Sequence, residues 1–282
     1  MFLKSSIRTL ADGFWGAHSK LSLHNSRFKG IHRDETCYIF ANGGSLKYYD
    51  IDSLPRKLTF CCSFSLIDKR MQNFQPEYNF FTDSYLLYPF LFNTYPFVQK
   101  LQKNEFSEIL RSIIQDNPNT HHFCNITNYY ASRKFKNLSY FHHYGVRTGK
   151  GYDLSSHFST CGSALEVMVG AARYMGIENV YLFGCDYLYD RPQLGHFYAD
   201  YVPFTGEPMP EYLQKMKTVF EGINVKVVRP KDRSSTCFDS VTYEDHFGLE
   251  PMYRHNFELI DESILYQMRV AHKKLQIQME PF

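Results

Sequence analysis

Residues 159–186 decide the fold, and they read STCGSALEVMVGAARYMGIENVYLFGCD. A polar, glycine-containing start leads into an apolar run with helical spacing, and a run of β-forming residues ends at Gly184-Cys185-Asp186. This order predicts a loop, a helix over 163–175 that Gly176 terminates, and a strand over 179–183. Such a unit is the second half of a βαβ crossover, so the stretch predicts a parallel sheet.

A second stretch, residues 37–46, reads CYIFANGGSL. It predicts a buried strand over 36–41 that runs into the loop Asn42-Gly43-Gly44-Ser45. In an open α/β sheet, such loops gather at the carboxyl edge, where ligands bind. The two stretches together therefore predict a nucleotide or nucleotide-sugar site.

The remaining pattern places these two stretches in one α/β domain. We expect further strands over 58–64, 79–82, 121–126 and 225–228, helices over 85–115 and 209–221, and a loop with little regular structure over 127–158. The predicted fold is a Rossmann-like, mainly parallel sheet with helices on both faces. The domain spans 1–256 and includes a proline-rich lid over 187–211; residues 257–282 form a C-terminal amphipathic helix.

Composition excludes several classes of protein. The net charge is +2 without a long basic run, so nucleic acid is not an expected partner. The 7 cysteines include no Cys-x-x-Cys spacing, which argues against a disulfide framework and a structural zinc site and favours a reducing cytoplasm. The start of the chain has no apolar signal run, and no stretch approaches the length of a membrane span.

The first loop carries groups suited to a phosphate or a ribose. Gly43 and Gly44 would let backbone amides approach a ligand closely, and the side chains of Asn42 and Ser45 can hydrogen-bond a base, sugar or phosphate. The Gly-Lys-Ser/Thr ending of a P-loop is missing. A plain tight turn is the alternative interpretation.

The second stretch offers an anion site and a carboxylate. Ser159, Thr160, Gly162 and Ser163 precede the predicted helix, whose N-terminus attracts anions, although they could form a simple cap. Asp186 follows the predicted strand and could hold a ribose, a metal or an acceptor hydroxyl. It could also be a capping residue of the loop.

A histidine in the predicted lid is the candidate general base. His196 lies ten residues after Asp186 in a tyrosine-rich segment, and the pKa of an imidazole lies near neutrality. The chain has 12 histidines, and the competitors for this role are His142, His143, His246 and His255.

These residues carry a family resemblance. Residues 37–46, followed by Asp50 and Leu54, resemble the opening of the bacterial CMP-sialic-acid-dependent sialyltransferases that act on lipooligosaccharide, with Ala41 and Gly44 as departures. Residues 159–186 resemble that family's second motif, and residues 225–235 its late strand and loop. Residues 28–32 and 238–243 look more like a related group that includes motility accessory factors, capsule-locus glycosyltransferases and pterin diphosphokinases.

The resemblance implies a GT-A-like variant of the fold that binds CMP at the carboxyl edge of the sheet, with a mobile lid, no cofactor and no metal. It implies that Asn42 and Ser45 contact the donor and that Tyr189 and Tyr198 stabilise the departing phosphate. The acceptor's proton would go to a lid histidine, a role carried to His196 because Glu207 stands where the family has its histidine. The remaining implied donor contacts are Gly43, Gly44, Ser159, Thr160, Gly162, Ser163, Gly184, Tyr187, Ser234 and Ser235.

The expected function is therefore inverting, metal-independent transfer of an acidic sugar, sialic acid or a related nonulosonate or Kdo, from a CMP donor to a glycan or glycolipid acceptor. Such an enzyme would serve lipopolysaccharide or capsule biosynthesis in the cytoplasm, and contact with the inner face of the membrane and a homo-oligomer stay open. One alternative is ATP-dependent diphosphate transfer with magnesium on Asp186 and Asp190. Another is a non-catalytic nucleotide-binding protein of a surface-glycan cluster.

Overall fold

The computed structural model describes residues 13–14, 16–92, 101–142, 151–156, 158, 163–199, 204–205, 209–231 and 235–279. Its strands are β1 Thr36–Phe40, β2 Leu58–Cys62, β3 Tyr78–Phe81, β4 Phe90–Phe92, β5 Leu101–Lys103, β6 His121–Asn125, β7 Leu138–Phe141, β8 Asn179–Phe183, β9 Gln193–Leu194, β10 Phe204–Thr205, β11 Asn224–Arg229 and β12 Ser240–Thr242.

The helices alternate with these strands along most of the chain. The α-helices are α1 Lys69–Phe74, α2 Glu105–Asp116, α3 Tyr129–Ser132, α4 Ala164–Tyr174, α5 Pro210–Phe220, α6 Tyr243–Phe247, α7 Asn256–Leu259 and α8 Glu262–Met279. Short 3-10 helices lie at Ser19–Phe28, Gly44–Tyr48, Ile51–Ser53, Ser63–Ile67, Ile126–Asn128 and Asp186–Leu188.

Eight of the described strands form one sheet in which every pairing is parallel. Their order is β12-β11-β8-β1-β2-β3-β6-β7. The chain builds outward from β1 to β7, then returns through α4 and adds β8 on the other side of β1. The sheet is therefore doubly wound, with its topological switch point between β1 and β8.

A hydrophobic core covers each face of the sheet. One core takes Ile109, Leu110 and Ile113 of α2 together with Leu265 and Met268 of α8. The other takes the apolar face of α4 and, from α5, Met216 and Val219. The predicted α/β fold, with a mainly parallel sheet and helices on both faces, is confirmed.

Two sequence predictions of local structure were wrong. The segment predicted as one helix over 85–115 is helical only in α2; before it, β4 and β5 pair antiparallel. The segment predicted as a loop over 127–158 contains β7, which extends the sheet beside β6. The side chain of Asn25 covers that edge strand, because its Nδ2 donates to the Tyr140 carbonyl at 2.7 Å.

Among the described residues, none of the helices is both long and apolar enough to cross a bilayer.

Candidate functional site

The two glycine-containing loops meet at the switch point of the sheet. The Ala41 amide donates to the Phe183 carbonyl at 2.9 Å, and the Gly43 amide donates to the Gly184 carbonyl at 2.9 Å. The pairing of β1 with β8 thus continues past the ends of both strands. Segments far apart in the sequence therefore form one surface at the carboxyl edge, where α/β folds bind their ligands.

Gly43 allows this close approach. A Cβ atom built on Gly43 would lie 2.4 Å from the Gly184 carbonyl oxygen and 2.6 Å from Cγ of Asp186. Gly184 has φ +67°, a left-handed conformation that favours glycine, and its own Cβ would lie 2.8 Å from the Ala41 carbonyl oxygen. The two glycines thus keep the loops in contact through the backbone.

The buried carboxylate of Asp186 binds the first loop through hydrogen bonds. Its Oδ2 accepts a hydrogen bond from the Ser45 amide at 2.8 Å, and its Oδ1 accepts one from the Ser45 hydroxyl. The residue is 0% exposed. Burial raises the pKa of Asp186 to about 6, and hydrogen bonds from Ser45 and Gly44 oppose that rise.

The raised pKa of Asp186 predicts a pH-dependent stability. In the unfolded chain the carboxyl ionises near 3.8, whereas in the folded protein it keeps its proton to about pH 6. Its contribution to the free energy of unfolding is therefore fully present below pH 3.8 and is lost as the pH rises to about 6. Urea unfolding of wild type and Asp186→Asn across this window should show the wild type losing on the order of 2–3 kcal/mol relative to the variant. Parallel pH profiles would contradict the assignment.

The segment that contains His196 is bound to the first loop. Gly43 and His196 form an isolated antiparallel bridge, the Gly44 amide donates to the Gly195 carbonyl at 3.1 Å, and the Phe197 amide donates to the Asn42 carbonyl at 3.0 Å. The half-buried imidazole stacks on the ring of Tyr198, with centroids 4.9 Å apart and planes at 30°. The predicted general base therefore lies at the switch point.

The hydrogen bonds of the first loop correct one sequence expectation. The amides of Gly43, Gly44 and Ser45 were expected to approach a phosphate or ribose. They donate instead to Gly184, Gly195 and Asp186 within the protein. The loop amides thus join the three segments of the site, and the glycines serve close packing.

The side chain of Asn42 remains half-buried at the end of β1. Its Oδ1 accepts a hydrogen bond from the Ser65 hydroxyl at 2.9 Å, and its Nδ2 lies 3.7 Å from Sγ of Cys62. The loop after β2 thus orients the Asn42 amide at the carboxyl edge.

The predicted tyrosines differ in exposure. Tyr189 is buried, its hydroxyl donates to the Val228 carbonyl at 3.4 Å, and burial raises its pKa. Tyr198 is also buried, whereas Tyr187 is 39% exposed. Next to them, the Asp190 amide donates to the Ser235 carbonyl at 2.8 Å, which brings the loop after β11 to the site.

Ser163 forms the N-cap of α4, as expected. Its hydroxyl accepts a hydrogen bond from the Glu166 amide at 3.4 Å and lies 3.3 Å from the Tyr212 hydroxyl. Because α4 runs back from the carboxyl edge to the start of β8, its N-terminus lies at the same edge as the other loops. The predicted contacts Ser159, Thr160, Gly162 and Ser234 lie outside the described residues.

Of the competing histidines, three lie in the part of the chain that the structure describes. His142 is buried at the end of β7, and His246 is an exposed residue of α6 whose ring contacts Tyr181. His255 lies on the surface beside Tyr253. His143 is outside the described residues.

Sequence reasoning missed three residues of this site. Lys47 is buried and its Nζ donates to the Ala199 carbonyl at 3.1 Å, Ser65 orients Asn42, and the Thr236 hydroxyl donates to the Leu188 carbonyl at 2.5 Å. The sequence does carry a signal for Lys47, because it directly follows the apolar residue at the end of the stretch 37–46. Nothing local distinguishes Ser65 or Thr236, because their partners are distant in the sequence.

No protein-family model and no curated protein matches the sequence. Among solved structures, the chain is similar to the sialyltransferase CstII from Campylobacter jejuni in complex with the substrate analogue CMP-3FNeuAc, at 14% identity and a TM-score of 0.45, covering 84% of this chain and 99% of that one. CST-II in complex with a trisaccharide acceptor and CMP gives 15% identity and a TM-score of 0.43, over 84% and 99%. The monofunctional α-2,3-sialyltransferase Cst-I from C. jejuni gives 13% and 0.39, over 86% and 95%. These three solved structures are sialyltransferases.

Proposed function

We propose that this chain is an inverting glycosyltransferase that moves an acidic sugar, sialic acid or a related nonulosonate or Kdo, from a CMP donor to a glycan acceptor. One observation carries the proposal: the loops after β1 and β8 and the segment with His196 are hydrogen-bonded into one surface at the switch point. The described residues of these three segments thus lie together, at the edge where α/β sheets bind nucleotides.

The donor would lie across this edge. The Asn42 amide would contact the nucleotide, and the N-terminus of α4, which begins after Ser163, would attract the phosphate of CMP through the dipole of the helix. Ser45, Gly184 and Asp186 would act as positioning residues, because their hydrogen bonds and close packing fix the loops. Tyr189 would support the same loops, since its hydroxyl is bound to Val228.

The chemistry would be a single displacement. The acceptor oxygen forms a bond to the anomeric carbon while the bond from that carbon to the CMP phosphate oxygen breaks, and CMP leaves with the electron pair. The imidazole of His196 takes the proton of the acceptor hydroxyl. Attack opposite the leaving group inverts the configuration, and no covalent intermediate with the protein is needed.

The alternative, ATP-dependent diphosphate transfer, expects Asp186 as one of two magnesium ligands. Both oxygens of Asp186 accept hydrogen bonds from Ser45, and the residue is fully buried. A carboxylate in this position is a weak partner for a hydrated magnesium ion, which keeps several waters. We therefore favour transfer from a CMP donor that needs no metal ligand from Asp186.

Ligand-induced stabilisation tests the proposal directly. CMP at about 100 times its dissociation constant should add roughly 2.7 kcal/mol to the free energy of unfolding, with or without a chelator. The measurement is a thermal-shift panel of CMP, CDP, UDP, GDP and ATP, each with magnesium or with EDTA. If the protein is stabilised only by ATP together with magnesium, the result supports diphosphate transfer instead. If no nucleotide stabilises it, the result contradicts both sugar transfer from a CMP donor and diphosphate transfer.

A further inference from the structure

A row of aromatic side chains leads away from the proposed site across the protein surface. This aromatic ladder consists of Tyr48, Tyr253, His255 and Phe257, and its successive ring centroids are 5.2, 5.1 and 5.2 Å apart. Tyr253 is 47% exposed and Phe257 is 63% exposed. Neighbouring rings are inclined at 57°, 86° and 5°, so they pack on one another, while Tyr253 and Phe257 expose part of their ring surface to solvent. Contiguous exposed apolar patches mark binding sites.

Main-chain hydrogen bonds join the aromatic ladder to the candidate site. The Met252 amide donates to the Tyr48 carbonyl at 3.0 Å, and the Arg254 amide donates to the Lys47 carbonyl at 2.9 Å. At the next step along the chain, Nδ2 of Asn256 donates to the Tyr198 carbonyl at 3.4 Å. The segment that carries three of the four rings thus borders both the first loop and the His196 segment.

Hydrogen bonds hold the segment that carries three of the rings in place. The Arg254 guanidinium donates to the Tyr49 carbonyl at 3.1 Å and to the Asp50 carboxylate at 3.3 Å. Beyond it, the His255 amide donates to the Glu258 carboxylate at 2.5 Å. A surface fixed in this way loses little conformational entropy on binding, which favours affinity for a small, rigid partner.

We infer that the aromatic ladder is the platform for the acceptor glycan, an inference that rests on the proposed function. The C–H face of a pyranose packs well on an aromatic ring face, which carries partial negative charge. The Tyr48 and Tyr253 hydroxyls and the His255 imidazole can hydrogen-bond sugar hydroxyls.

The charges around the aromatic ladder favour a glycan over an anionic lipid surface. The Lys231 ammonium lies over the Tyr48 ring, 5.2 Å from its centroid, and Arg254 is paired with Asp50. Glu250 and Glu258 are the acidic neighbours along the same segment. Among the described residues of this segment, basic and acidic side chains are mixed, which weakens the electrostatic attraction that draws proteins to anionic membranes.

The test compares acceptor use by ladder variants with donor binding. Transfer from CMP-N-acetylneuraminic acid and from CMP-Kdo is measured on immobilised oligosaccharides that end in galactose, N-acetylgalactosamine, heptose or sialic acid. Tyr253→Ala and Phe257→Ala should each raise the acceptor KM roughly three- to tenfold and leave the CMP thermal shift unchanged. The matched control is Tyr266→Ala, an aromatic residue of α8 that is 67% exposed and lies outside the ladder, for which the acceptor KM should stay at the wild-type value.

The outcomes separate this inference from the proposed function. A wild-type protein without a CMP response would refute the proposed function and, with it, the inference. If the ladder variants have the same acceptor KM as the wild type, the inference alone is overturned. The inference is also overturned if the wild type binds CMP but neither binds nor labels any of the glycans. If the ladder variants lose binding to phosphatidylglycerol vesicles but keep the wild-type acceptor KM, the aromatic ladder contacts a membrane surface, and the inference is overturned as well.

Discussion

Turnover of His196→Ala is expected to fall by roughly 10²–10⁴-fold while the dissociation constant of CMP stays near the wild-type value. The imidazole would take the acceptor proton, whereas the contacts that hold residue 196 in place come from its backbone and from Tyr198. Removing the ring should therefore remove the base and leave the donor site formed. Initial rates with a CMP-sugar and an acceptor glycan, together with the CMP thermal shift, measure both quantities.

His246→Ala is the matched control for this experiment. His246 is also a solvent-accessible histidine in contact with aromatic rings, but it lies on α6, away from the loops after β1 and β8. Its replacement should leave the rate unchanged. Wild-type turnover in His196→Ala would remove His196 from the mechanism, and loss of CMP binding would show that the ring serves the donor site.

Replacing Gly43 with alanine should abolish CMP binding and destabilise the protein by about 1–3 kcal/mol, the range for an overpacked interior. The new methyl group would meet the Gly184 carbonyl oxygen at 2.4 Å and Oδ1 of Asp186 at 2.7 Å. These atoms belong to the backbone and to a buried carboxylate, so the loops must separate to make room. Their separation would break the surface formed by Asn42, Asp186 and His196.

Gly151→Ala provides the comparison for Gly43→Ala. A Cβ atom on Gly151 would meet nothing within 4 Å, so the same chemical change should leave both stability and CMP binding at the wild-type level. Urea unfolding and the CMP thermal shift are measured on both variants. Normal CMP binding by Gly43→Ala would show that the contact between the two loops is not needed for the donor site.

The parts of the fold that could be predicted from sequence have strong local signals. The apolar run 37–40 followed by glycines, and the helical run after Ser163 followed by Gly176, gave β1, α4 and β8 nearly to the residue. Because β1 and β8 are parallel, their carboxyl ends and the loops that follow them lie at one edge of the sheet. The location of the candidate site therefore followed from short-range patterns.

The parts that could not be predicted depend on contacts between distant residues. The strand β7 has only four residues, and what makes it a strand is pairing with β6 and the side chain of Asn25. The sequence leaves Asp186 either as a carboxylate for a ligand or as a capping residue of the loop, because nothing near it in the sequence indicates a partner. Its partner, Ser45, is 141 residues away.

The bridge between Gly43 and His196 fixes the backbone of residue 196 relative to the first loop. The hydrogen bonds around it, from the Gly44 amide to the Gly195 carbonyl and from the Phe197 amide to the Asn42 carbonyl, join main-chain atoms alone. Any side chain introduced at 196 would therefore start from the same backbone position beside the first loop. A cysteine that carries a spectroscopic label, or an unnatural imidazole with a shifted pKa, could report on the acceptor's proton without rebuilding the surrounding loops.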